Sequence, residues 1–288
     1  MANIKDLKKK IKSTKSTLKI TQAMKLVSAA KLARAQHAIV SSRPYTEELE
    51  STIKIVSALL TDYSHNYFKT QDGNKAAILV ISGEKGLCGG YNSQIIKKVR
   101  NFFKESELDF KVYFIGKKAK DVLKKEVNIG KHYTFKKADA SFLEIQEIAD
   151  ELGTLFSTGE YSKVYVAYNI FESAISFTPT IKQLLPMALE VEERELLKTK
   201  YPFDFKYEPA PDQILDVLIP ETYRSTIYTC ILDATAAEHG SRMSAMDSAV
   251  RNCKDAIRTL TLKANKLRQA SITTELIEVV SGAESLKG

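Results

Sequence analysis

Four glycines, Gly83, Gly86, Gly89 and Gly90, crowd the stretch "ISGEKGLCGGYNSQ", residues 81–94. It lies between an apolar run, "AAILV", and an amphipathic one, "QIIKKVRNFF". A strand, a glycine-rich loop and a helix in that order can hold a phosphate, because backbone N–H groups and a helix N-terminus converge there. The spacing matches neither G-x-G-x-x-G nor G-x-x-x-x-G-K-[ST], and Asp109 is only a weak candidate for a ribose contact. The glycines therefore read as a tight strand-to-helix turn with close backbone packing, of a kind that also suits contact with a partner subunit.

Other chemistry finds no constellation. His37, His65, His132 and His239 are isolated from one another and from the cysteines, so no metal-ligand spacing occurs. The carboxylates of "EVEERE" sit in a charged, solvated stretch and do not suggest an acid/base pair. Cys88, Cys230 and Cys253 are odd in number and far apart, which reads as free thiols in a reducing compartment. Cys88 is expected to be buried. The expectation is a chain with no catalytic residue, no metal site and no cofactor.

The elements around the loop fall into two kinds. From the start, Ile4, Leu7, Ile11, Thr14, Leu18, Thr21, Lys25, Ser28, Leu32, Ala35 and Ile39 recur in alternating steps of three and four. Leu49, Ile53, Val56 and Leu60 continue the phase past Pro44, where a kink or break is expected. At the other end, Arg242, Met246, Ala249, Cys253, Ala256, Leu260, Lys263, Leu267, Ala270, Thr274 and Ile277 keep the same rhythm. These heptad-like seams predict two long helices, paired antiparallel as a coiled coil. The C-terminal one would be on the order of 100 Å long. Between them, "KAAILVISG" and "FKVYFIG" read as buried strands, each followed by a helical stretch, and "SFLEIQEIADELGTLF" as a third helix. "KVYVAYNIF" and "ISFTPTIKQLLP" read as an antiparallel pair at the sheet edge. The fold class is α/β plus a long coiled coil, with a Rossmann-like α/β domain of mostly parallel strands inserted between the halves. The expected divisions are residues 1–62 for the N-terminal helix, 75–187 for the α/β domain, 188–211 for a connecting segment and 212–288 for the C-terminal helix.

Composition narrows what the helices are for. Net charge is +8 over 288 residues. No window approaches the length of a membrane span, and "MANIKDLKKKIKSTKS" has no apolar core of a secretory signal. All 13 Tyr and 12 Phe lie between Tyr45 and Tyr228, and there is no Trp. The seams use Ala, Ser, Thr and Cys where a zipper uses Leu and Ile. From Lys5 to Arg34 the basic residues face one acid, Asp6, and Arg258, Lys263, Lys266 and Arg268 form a second basic stretch. A slim, positive rod suits an acidic sleeve. The alternative is a basic coiled-coil protein that binds nucleic acid or serves as a scaffold. Against nucleic acid stands the lack of interleaved aromatics and of a docking motif.

The motifs "ITQAMKLVSAAKLARAQ", "GLCGGYN", "EHGSRMSAM" and "LRQASITTELIEVVSGAESL" resemble the gamma subunit of the F-type ATP synthase, in order and over both helices and the inserted domain. The resemblance implies a noncatalytic central stalk that couples ion-driven rotation of a c-subunit ring to ATP synthesis or hydrolysis and regulates ATPase activity and ion flow. It implies a coiled coil inside a hexamer of alpha and beta subunits, contact with the epsilon subunit, one copy per complex, no nucleic acid and no small-molecule substrate. The place it implies is the cytoplasmic face of a bacterial membrane, as a peripheral component. By the same resemblance, Met24, Lys25, Arg242, Arg268 and Gln269 match the contact zone against the moving loops of beta, and Tyr207 and Glu208 the seat on the c ring. The redox cysteine pair of plastid relatives has no counterpart here.

Overall fold

The computed structural model describes residues 4–60, 63–135, 141–187, 191–201 and 205–285. They fall into two compact units, residues 1–28 with 243–288 and residues 29–242. Two helices contribute to both units: α1 (Ile4–Leu59) and α6 (Pro211–Ser285). Neither Pro44 nor Pro220 ends its helix. A proline removes one intrahelical bond, and around Pro44 the buried Ile39, Thr46, Ile53 and Val56 hold the chain helical across the gap. The break expected at Pro44 is therefore absent.

The larger unit is built on a sheet in the order β3-β2-β1-β4-β5. Strands β1 (Lys75–Ile81), β2 (Asp109–Ile115), β3 (Asn128–Tyr133) and β4 (Lys163–Ser173) run parallel, and β5 (Ser176–Leu185) pairs antiparallel with β4. Every residue of β1 after Lys75 is buried, because both sheet faces are covered. On one face Ile78, Val80, Val112 and Phe114 pack with Ile95 and Val99 of α2 (Tyr91–Glu105) and Leu123 of α3 (Lys117–Leu123). On the other, Leu79, Ile81 and Tyr113 pack with Ile145, Leu152 and Phe156 of α4 (Phe142–Ser157) and with Tyr223, Ile227 and Ile231 of α6. The first half of α6 is thus a layer of the α/β domain as well as a coil strand. Its aromatic content, ending at Tyr228, is the sequence trace of that duty.

Strand β3 was not legible in the sequence. "NIGKHY" carries a glycine at its centre and little alternation, and the glycine is required by packing. A Cβ on Gly130 would lie 2.7 Å from the Tyr113 ring. Helix α4 starts at a capping box, in which Ser141 and Glu144 satisfy each other's backbone N–H groups. Within the span 188–211, residues 188–190 and 202–204 lie outside the described residues, and Val191–Lys200 forms a further helix, α5.

Along α1 the expected seam is met: Leu7, Thr21, Ser28, Leu32, Ala35 and Ile39 are buried, and Ile4, Ile11, Thr14, Leu18 and Lys25 are half-buried. In the larger unit, α1 meets α6 through the apolar cluster of Ile53, Val56, Leu215 and Ile219 and through polar groups. Thr229 shares hydrogens with Ser42 and Thr46 at 2.9 Å each, Arg43 donates to Asp233 at 2.6 Å, and Glu50 accepts from Lys182 and Thr226 at 2.8 Å. In the smaller unit the seam on α6 holds through Met246, Ala249, Cys253, Ala256, Leu260 and Leu267, while Lys263, Ala270, Thr274 and Ile277 are exposed. Counting outward from the Lys25–Asp247 pair, Ile4 falls opposite Arg268. The described part of α1 ends there, so among the described residues the rest of α6 has no facing helix.

Candidate functional site

The glycine loop links β1 to α2. Leu87 (φ 61°) and Gly89 (φ 55°) both adopt the left-handed region, which lets the chain reverse between strand and helix. Leu87 is the one non-glycine residue so placed among the described residues, and its side chain is exposed. Several backbone donors at this end of the sheet are already engaged by the chain's own side chains. The Gly83 N–H donates to Asn92 Oδ1 at 2.9 Å. At the start of α3, the Lys117 N–H donates to Glu84 Oε2 at 3.1 Å and the Ala119 N–H to Ser82 Oγ at 3.0 Å. A carboxylate of the chain itself thus fills an anion position. Gly116 (φ 84°) lies against the Ser82 carbonyl, which a Cβ there would strike. The loop is a packing device.

What it packs against is α6. Ser241 Oγ donates to the Cys88 carbonyl at 2.6 Å. Arg242 donates from Nη2 to the carbonyls of Lys85 and Gly86 at 3.3 Å each, and from Nε to Gly86 at 3.4 Å. Its Nη2 also pairs with Glu238 Oε1 at 2.6 Å. The Tyr91 hydroxyl donates to the Ala234 carbonyl at 3.0 Å, and burial raises that phenol well above its ordinary range. Cys88 is 2% exposed and burial pushes its thiol up, so it has little thiolate character. A cavity of about 480 Å³ opens at the carboxyl ends of β1 and β2, where α/β folds commonly bind ligands. Arg242, on its wall, is already committed to Glu238 and the loop.

The residues expected to contact partners separate between the units. Arg242, Tyr207 and Glu208 belong to residues 29–242; Met24, Lys25, Arg268 and Gln269 belong to the smaller unit. Arg242 is 9% exposed, its donors directed into the glycine loop of its own chain. A guanidinium has five donors in a fork, and a loop reversing through left-handed residues leaves carbonyls turned outward to accept them. Lys25 Nζ pairs with Asp247 Oδ1 at 2.5 Å, and Met24 beside it is half-buried. Arg268 and Gln269 are exposed on the stretch of α6 beyond Leu267. Tyr207 packs against Ile53, Val56, Leu215 and Ile219, with its ring 6.4 Å from that of Phe205, while Glu208 is exposed. Sequence reading passed over Glu238, Ser241, Asn92 and Asp247. Two of them were signalled: Glu238 stands four residues before Arg242, and Asp247 four before Arg251.

A sheet covered on both faces, one of its layers supplied by a long helix that also pairs with the N-terminal helix, defines the class: an α/β domain inserted between two long helices. Among the described residues no group of His, Cys, Asp and Glu could hold a metal, and no helix is long and apolar enough to cross a membrane. Residues 3–286 match the family described as ATP synthase. Over the full length of both chains, this chain is 39% identical to the ATP synthase gamma chain of Geotalea uraniireducens and 40% identical to that of Christiangramia forsetii. A chain in the cryo-EM structure of the Euglena gracilis mitochondrial ATP synthase, in rotational state 3, shares the fold at 19% identity. Its TM-score is 0.70, covering 98% of this chain and 94% of that one. A chain of the central stalk and c ring of the Tetrahymena thermophila enzyme superposes at a TM-score of 0.58 and 22% identity, covering 80% of this chain and 99% of that one. The chain belongs to the gamma chains of the F-type ATP synthase, the noncatalytic central-stalk subunits.

Proposed function

We propose that this chain works as the shaft between an ion-driven c ring and a hexamer of alpha and beta subunits, one copy per complex, with epsilon as a further partner. Met24, Arg268 and Gln269 would meet the moving loops of beta, with Lys25 and Arg242 beside them, and Tyr207 and Glu208 would sit on the c ring. The complex would lie at the cytoplasmic face of a bacterial membrane. The observation that carries this reading is the end of α6. From Arg268 onward it has no facing helix among the described residues, and Ile272, Leu276, Val279 and Val280 are 49–69% exposed at one-face spacing, with Ile277 at their margin. A bare helix with an apolar stripe calls for a surrounding surface. The basic-scaffold alternative rests on charge alone, and the family match leaves it without support.

The test is reconstitution of the purified chain with alpha and beta subunits, followed by size exclusion and an ATPase assay. The expected result is a complex holding one copy of this chain per hexamer, with ATPase activity that needs assembly. Failure to assemble, together with nucleotide binding by the isolated chain, would overturn the reading.

A further inference from the structure

We infer that Asp247 is a positioning residue for coupling: it sets the register of α1 against α6 by holding Lys25 across the pair. This rests on the shaft reading above. The seam of the smaller unit is poorly suited to fixing register by shape. Its buried side chains are Leu7, Thr21, Ser28, Met246, Val250 and Ala264, while the bulky Ile20, Leu26, Val27 and Leu262 face outward. The two buried hydroxyls do not cross between helices. Thr21 Oγ1 donates to the Thr17 carbonyl at 3.0 Å, and Ser28 Oγ to the Met24 carbonyl at 2.8 Å. Apart from Leu7, Met246 and Val250 these buried knobs are small, and small knobs in shallow holes allow neighbouring registers of similar energy.

Against that background, Lys25–Asp247 is an ion pair that joins the two helices of this unit. It is braced. Asp247 Oδ1 takes Lys25 Nζ and Oδ2 takes Arg251 Nη1, both at 2.5 Å, and Arg251 Nη2 also reaches Ser248 Oγ at 3.2 Å. Arg251 thus fixes the carboxylate on α6 before it meets Lys25 on α1. Lys25 and Asp247 are part-exposed, at 41% and 32%, so the pair adds little to stability. Its effect is geometric. A slip of either helix would separate Lys25 from the carboxylate that Arg251 orients, and would move the adjacent Met24 with it.

The test compares Asp247→Ala, Lys25→Ala and the exchange Lys25→Asp/Asp247→Lys in the assembled complex in vesicles, reading ATP hydrolysis and ATP-driven ion pumping separately. Asp247→Ala should keep hydrolysis and assembly but lower the ions pumped per ATP by roughly two- to fivefold, the range a part-exposed pair can command, and Lys25→Ala should lower that ratio at least as far. The exchange should restore pumping to near the unsubstituted level. Normal coupling in Asp247→Ala would overturn the inference. So would loss in Lys25→Ala with no rescue by the exchange, because that pattern means Lys25 acts on a neighbouring subunit directly. Failure of the unsubstituted chain to assemble would strike the shaft reading and is told apart by the control.

Discussion

Arg242 sits where a stalk arginine is expected to touch a neighbour, yet it reaches back to the carbonyls of Lys85 and Gly86 and to Glu238. Its removal would strand a part-buried carboxylate and loosen the loop. Arg242→Ala should destabilise the chain by about 1–3 kcal/mol, with faster amide exchange confined first to residues 83–90. Unchanged exchange in the loop would show that the bonds are dispensable. Asp233 gives a second residue-scale prediction. Burial raises its carboxyl above the ordinary range, and the opposing pull of Arg43 at 2.6 Å does not cancel this. The folded state then holds a proton that the unfolded state has released. Stability should therefore fall as pH rises from the ordinary carboxylate range, about 4, toward the raised value. Asp233→Asn keeps a side-chain oxygen for Arg43 and removes the ionisation. It should gain stability over the parent as pH rises to neutrality, as read by urea unfolding at acidic and neutral pH. A pH-independent difference between the two would contradict the raised carboxyl.

At the scale of elements, the two helix pairings differ in kind. In the larger unit α1 meets α6 through a hydroxyl chain and paired charges beside an apolar cluster of Ile53, Val56, Leu215 and Ile219, and α6 also covers the sheet. In the smaller unit the contact depends on small residues, of which Ala249 and Ala256 are half-buried on the seam. Ala249→Trp should force the helices apart, at a cost of about 1–3 kcal/mol by overpacking. It should also weaken assembly with the hexamer. Normal thermal unfolding and assembly of the tryptophan variant would mean that the helices do not close at that position. Element by element, the sequence showed the seam of α1, that of α6 as far as Leu267 except at Lys263, four of the five strands and the antiparallel edge, since each rests on local periodicity. It hid β3, whose Gly130 answers to the ring of Tyr113 on a neighbouring strand. It also hid the second duty of α6, because which face of a helix meets a sheet is a tertiary matter.

For the whole molecule, stability and function are laid out on different residues. From Arg268 to Glu284 all but Ser271 are exposed, so this stretch adds little to the fold. Removing residues 268–288 should leave the thermal unfolding of the isolated chain within about 1 °C, since exposed substitutions rarely move stability. In the assembled complex it should lower coupling. A large fall in melting temperature would instead mean that this end packs within the chain. The sequence by itself determined the class of fold, the seam positions, the lack of a recognised phosphate-loop signature and the family, because periodicity and motif spacing are local. Only the tertiary structure decided the partners of the charged side chains. Arg242 is turned into the glycine loop by carbonyls that a left-handed reversal exposes, and Lys25 is engaged by an aspartate 222 positions away in the chain. Such pairings arise when two distant helices come into register, and nothing in either helix alone encodes them.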